Sequence, residues 1–205
     1  MIHWVPIGGK KYTPEEFDNY VKTLHFDWKP KFVVLHNTST PDMSQYLHFV
    51  QKGVSDTHWL QNLASYYHNE MHWSAGPHLF IVPTGILTFT PLTHPGVHSP
   101  AWNSISWGVE MVGDYDKDQF TDTMKDMATT ALAILHHYGH LTPLPYERGV
   151  KGLHFHKEDP KTTHKDCPGK HVIKSEIVEI VQRKLSSTTS PWWTNSGLNL
   201  DKDNQ

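Results

Sequence analysis

A single cysteine, Cys167, occurs among 205 residues, so no disulfide can form within the chain and packing alone must hold it. Charge of either sign is nowhere in large excess. Lys and Arg number 18 against 21 Asp and Glu, a formal net charge of −3, and no basic stripe appears, which argues against a nucleic-acid partner. No apolar run is long enough to cross a bilayer, so no membrane insertion is expected. The segment from Met1 to Phe17 lacks a basic region followed by a long apolar stretch, and so does not read as a secretory signal. The expectation is a protein kept in the cytoplasm unless something releases it. No internal repeat is visible, and the length suits one domain, with a monomer favoured.

What is abundant is histidine, 17 in all. This raises the prospect of a metal site, and equally of accidental metal-like spacings, so spacing alone has to be discounted. The aromatic residues, 8 each of Trp, Tyr and Phe, suffice to build one core or to line a groove.

Periodicity predicts the elements. Thr13-Pro14-Glu15-Glu16 reads as a capped helix start, followed by Phe17, Tyr20, Val21 and Leu24 at helical spacing. Phe32 to Leu35 is a buried strand ending at His36. Residues 57–71 form an amphipathic helix with Leu60, Leu63, Ala64 and Tyr67 on one face. His78 to Val82 and Ile86 to Thr90 are strands joined by a turn at Pro83-Thr84-Gly85. A loop covers 91–104, and Trp107 to Val112 is a further strand. A long helix spans 118–138 and stops at Gly139. A short strand runs from Leu153 to His156, a polar loop covers 157–169, and a last helix spans about 170–185. The expected fold is a single α/β domain, a central mixed β-sheet flanked by helices. Its parts are an N-terminal helical extension over 1–29, the main α/β domain over 30–185 and a polar tail over 186–205, in which Trp192 and Trp193 can pin part of the tail to the body.

Three features carry chemistry. His36 closes an apolar strand, a rigid place from which to present a ligand to a cleft, or else it caps the strand by hydrogen bonding. The segment 153–169 gathers His154, His156, His164 and Cys167. On a strand, His154 and His156 face the same side, and Pro168-Gly169 can turn the Cys167 sulfur back towards them. Two imidazoles and a thiolate suit zinc, which in catalytic sites needs only three protein ligands. The bland alternative is a buried, inert cysteine beside solvated histidines. Glu110 is the lone charge in Ser106-Trp-Gly-Val-Glu-Met-Val-Gly113. It is either a buried carboxylate with a raised pKa, fit to be a general base, or an outward-facing residue on an edge strand.

Taken in order, four motifs stand in the chain: Val34-Leu35-His36-Asn37; Gly76-Pro77-His78-Leu79-Phe80-Ile81; His98 with Trp102-Asn103 leading into Ser106-Trp107-Gly108-Val109; and His156-Lys157-Glu158 with Lys165-Asp166-Cys167-Pro168-Gly169. This order resembles that of the zinc-dependent N-acetylmuramoyl-L-alanine amidases, which share a fold with the peptidoglycan recognition proteins and phage lysozyme-amidases. The resemblance covers roughly residues 30 to 185. It implies Zn2+ held by His36, His156 and Cys167, Lys165 beside the developing oxyanion, and Glu110 as the catalytic glutamate of the cytoplasmic recycling branch. Phage relatives use a tyrosine where this chain has Pro77. In turn, the third ligand here is Cys rather than the Asp typical of the glutamate branch, and His154 stays a rival to His156.

The resemblance further implies bacterial peptidoglycan as partner, with His78, His98, Trp102 and Asn103 lining the groove. It points to a phage-type endolysin that cuts the bond between N-acetylmuramic acid and L-alanine and reaches the wall after release through a pore. Alternatives are a recycling amidase of the cytoplasm, a binding module of the same fold without activity, and a thiol hydrolase in which His164 or His156 activates Cys167.

Overall fold

The computed structural model describes residues 3–142 and 152–187. The expected tail, with Trp192 and Trp193, lies outside the described residues from 188 onward. Six strands form one sheet: β1 (Lys11–Tyr12), β2 (Phe32–Asn37), β3 (Leu79–Val82), β4 (Gly85–Thr88), β5 (Ser106–Met111) and β6 (Leu153–Phe155). Their spatial order is β1-β4-β3-β5-β2-β6. β3, β5, β2 and β6 run parallel, while β4 is antiparallel to both β3 and β1. The sheet is therefore mixed, as expected, and four strands end on one edge. The N-terminal segment contributes more than a helix, because β1 extends the sheet beside β4.

Five helices pack on this sheet: α1 (Pro14–Lys22), α2 (Met43–Gln51), α3 (Asp56–Asn69), α4 (Asp122–Tyr138) and α5 (Lys174–Ser186). α1 begins in the capping box anticipated from Thr13 and Glu16, each side chain bonding the other's backbone N–H at 3.2 and 2.8 Å. α4 starts at Asp122, after the cap Thr121, and not at 118. A turn at 115–117 precedes it, and the Asp118 carboxylate accepts the N–H groups of Met43 and Asp114. Likewise α5 starts at Lys174 and not at 170, since 169–173 carry the turn that follows Cys167.

Alternation sorts the sheet into two faces. Val33, Leu35, Leu79, Ile81, Val109, Met111 and Leu153 point to one, where α1, α4 and α5 cover them. α4 is the keystone of this layer: from Thr129 to Ala133 and on to His136 it is buried throughout. The opposite face carries Phe80, Val82, Leu87 and Val112, covered by Tyr46 of α2 and by Trp59 and Leu60 of α3. It continues to Phe32, Val34 and Trp102. Between these two patches this face stays open at the ends of β2 and β5. No described helix is long and apolar enough to cross a membrane.

α2 escaped sequence reading. Only Tyr46 of it is buried, while Leu47, Phe49 and Val50 are exposed, so its apolar residues follow no inward stripe. This two-faced arrangement predicts unequal costs for similar substitutions. Leu132→Ala, in the centre of α4, should lower unfolding free energy by about 2–5 kcal/mol. Leu47→Ala, on the surface of α2, should stay within about 0.5 kcal/mol of the parent. Denaturant midpoints measured side by side would check this, and equal effects would contradict the assignment of the core.

Candidate metal centre and cleft

Where the parallel strands end, a cleft of about 830 Å³ opens. Such an edge is where open α/β sheets place ligands, because the loops diverge there and leave room. His36 is the fifth residue of β2 and pairs in register with Glu110 of β5. Both side chains therefore project from the same face. Nδ1 of His36 lies 3.8 Å from Oε1 of Glu110, and His36 is only 1% exposed.

His156 does not belong to β6, as first expected, but opens the short 3-10 turn His156–Glu158 directly after it. Its ring centroid is 4.3 Å from that of His36. The loop beyond it returns Cys167 to the same place, and the Lys157 N–H bonds the Cys167 carbonyl at 3.0 Å to close it. Asp159 pins this loop from inside. It accepts from the backbone of Lys161 and Ala101 and from the Ser99 hydroxyl, which ties the loop to the segment 99–101. Gly169 completes the turn. Its φ of +103° favours glycine, and a Cβ there would lie 2.4 Å from the Tyr115 backbone.

One donor atom each from His36, His156 and Cys167 lies within 4.8 Å of the others. Around a zinc ion, nitrogen and sulfur donors at ordinary bond lengths sit roughly 3.3–3.6 Å apart, so a small inward movement would complete the shell. The electrostatics fit a metal as well. Burial, then the neighbouring His156, His98 and His164, holds His36 well below the usual imidazole range. Burial and His164 bring His156 down to about 4. Both rings are thus neutral, the form that binds metal. Burial, reinforced by Glu110, pushes the Cys167 thiol upward, partly offset by the Asn37 N–H, which reaches its sulfur at 3.4 Å. A thiol so placed ionises only with a cation beside it, as a metal provides. Burial also raises Glu110 to about 8, although 14% of its side chain faces the cleft.

The structure separates the remaining candidates. His154 shares a face with His156 but lies deeper, packed against Phe32 and Trp102, with Nδ1 3.6 Å from Glu158. It stands outside the three-residue group. Lys165 is exposed on the cleft wall, near enough to His156 to lower its pKa. His98 and Asn103 line the cleft too, but Asn103 spends its Oδ1 on the backbone N–H groups of His98 and Ser99, each at 2.7 Å. Two expectations are corrected. His78 is wholly buried: its Nε2 bonds the His94 carbonyl and its Nδ1 accepts the Gly108 N–H, both at 2.9 Å, so it braces backbone and lines no groove. Trp102 is 7% exposed and packs edge-on against Phe32, which removes it from the cleft.

Sequence reading missed the opposite wall. Trp59, Leu63 and Tyr67 recur every fourth residue along α3 and line the cleft with Trp73. The helix itself was foreseen, and the aromatic pair at this spacing was its signal. Thr162 was missed without any signal. Its hydroxyl lies 2.8 Å from Nε2 of His156.

Comparison with known proteins bears on the fold and the family. Among solved structures, the endolysin N-acetylmuramoyl-L-alanine amidase LysCS from Clostridium intestinale is similar, with 22% identity, a TM-score of 0.51, and coverage of 76% of this chain and 85% of that one. Drosophila peptidoglycan recognition protein SA matches with 23% identity, a TM-score of 0.57, and coverage of 76% and 82%. Human PGRP-IβC, in complex with a glycosamyl muramyl pentapeptide, matches with 15% identity, a TM-score of 0.54, and coverage of 72% and 81%. At these identities the likeness is one of fold. No curated protein sequence matches the chain. The profile of the family described as N-acetylmuramoyl-L-alanine amidase matches residues 27–170, more than half of the chain and a span holding every group of the centre, so the protein belongs to the N-acetylmuramoyl-L-alanine amidase family.

Proposed function

We propose that this protein is a zinc-dependent peptidoglycan hydrolase that cleaves the amide between N-acetylmuramic acid and L-alanine, acting as a phage-type endolysin on the wall after release from the cytoplasm. The observation that carries the reading is the convergence of His36, His156 and Cys167 with Glu110 beside them at the floor of an open cleft. Zinc, held by those three residues, would polarise the scissile carbonyl and acidify a water molecule.

The chain supplies the rest. Glu110 sits where burial keeps its proton affinity near neutrality, so it can take a proton from the attacking water and return it to the leaving amine. Lys165 brings a positive charge to the wall near His156, placed to oppose negative charge on the carbonyl oxygen as the tetrahedral intermediate forms. The walls suit a ligand that is part sugar and part peptide. Tyr67 of α3 and Trp73 offer aromatic faces, and the facing loops offer Ser39, Thr163 and Asp166 as hydrogen-bonding groups. A binding module without activity would have no use for Glu110 buried against a ligand histidine.

Purified protein should release free stem peptides from isolated sacculi, and a chelator should abolish the release, both read by mass analysis of the products. Cleavage of the glycan chain instead would refute the assignment. Faster turnover of soluble muropeptides than of sacculi would move it to a recycling role. Glu110→Gln should lower kcat by about 10²–10⁴-fold with zinc content unchanged. Retained activity would remove Glu110 from the chemistry.

Cys167 offers an independent check. An alkylating reagent should react slowly with the zinc-loaded protein and rapidly after chelation, because a metal-bound thiolate is shielded. Equal rates in both states would support the alternative in which Cys167 is a free nucleophile.

A further inference from the structure

His98 looks at first like a groove residue, yet both of its ring nitrogens are engaged. Its Nε2 lies 3.2 Å from the Ser106 carbonyl and its Nδ1 lies 3.1 Å from Nε2 of His36. A carbonyl can only accept, so Nε2 of His98 carries the hydrogen. The Nδ1 of a neutral ring so protonated can only accept, and the partner nitrogen on His36 must then be the donor. This leaves Nδ1 of His36 as its lone-pair nitrogen, the one that faces Glu110 at 3.8 Å.

We propose that His98 is a positioning residue for the metal: it accepts the Nε2 proton of His36 and thereby fixes the tautomer and ring angle that present His36 Nδ1 to the ion. The inference rests on the zinc reading above and adds to it the means by which one ligand is oriented. The chain of bonds, Ser106 carbonyl to His98 to His36, is anchored in β5 at one end and β2 at the other. His98 is itself fixed. Gly108 leaves the space its ring occupies, since a Cβ there would meet His98 Cγ at 2.4 Å, and the His98 N–H is held by Asn103. His156 has no comparable constraint. Its Nε2 meets the Thr162 hydroxyl, which can donate or accept and so fixes no tautomer. The structure therefore gives the two histidines unequal roles, with His36 preset and His156 adjustable.

The test uses the full chain and reads metal affinity and protonation in place of activity. In metal-free protein labelled with 15N histidine, long-range nitrogen–proton correlations should show His36 and His98 both protonated at Nε2. Zinc affinity, measured by competition with a chelating dye, should fall about 10–100-fold in His98→Leu. His98→Asn, whose Oδ1 stands close to where Nδ1 stood, should recover most of that loss. A proton on Nδ1 of either ring overturns the proposal, and that measurement needs no variant to fold. An affinity in His98→Leu equal to the parent's, or a loss in His98→Asn as large as in His98→Leu, also overturns it. If the parent chain binds no zinc, the proposed function falls and this inference with it. If the parent binds and only the His98 results disagree, this inference alone falls.

Discussion

β2 runs between β5 and β6, parallel to both, with His36 opposite Glu110 and Leu35 opposite both Val109 and Phe155. Everything at the centre depends on that register. Side chains alternate along a strand, so a slip of one residue would turn His36 towards α4 and bring Leu35 to the cleft. The register is enforced from behind. Val33, Leu35, Val109 and Phe155 fill the layer under α4 and α5, and a shift would replace them with Val34, His36 and Glu110. The hydrophobic face is thus what holds a histidine and a carboxylate together on the other side, at a cost in desolvation that neither would meet alone.

That cost shapes the chemistry. Burial lowers the basicity of His36, His98 and His156, raises Glu110, and disfavours ionisation of Cys167. In each case the charged form is the one disfavoured, as expected where water is largely excluded. A cluster of neutral imidazoles, a protonated thiol and a carboxylic acid is electrostatically quiet but poised. A divalent cation held by His36, His156 and Cys167 would favour the thiolate and take a lone pair from each ring. The same enclosure would make the charge of such an ion felt at Glu110, since little solvent screens it.

Much of this was legible in the sequence, and particular residues show why. The apolar run before His36, the lone carboxylate in the run around Glu110, and the turn signal after Cys167 each follow from local rules that the folded chain obeys. The four ordered motifs pointed to the family that residues 27–170 match. The errors share a cause. His78 and Trp102 stand in the motifs but serve the backbone and the core, and only the three-dimensional neighbourhood tells a polar side chain that faces a cleft from one that faces a carbonyl. α2 was missed because its apolar residues face outward, and Thr162 because a hydroxyl in a polar loop carries no signal of the ring it will meet. The choice between His154 and His156 turned on depth along one face, which alternation cannot report.

The three candidate ligands come from three kinds of structure: a strand, a turn and a loop. The supports differ accordingly. His36 is set by the sheet and by His98. His156 follows a three-residue edge strand, packs against the rings of His36 and His164, and has the Thr162 hydroxyl at its Nε2. Cys167 depends on a loop fastened by Asp159, the Lys157 N–H and the tight approach of Gly169 to Tyr115. If zinc is held here, His36 would be the ligand fixed beside Glu110, and Cys167 would be the one carried on a loop. The hydrophobic layer behind the sheet, under α4, holds the strands that carry His36 and Glu110.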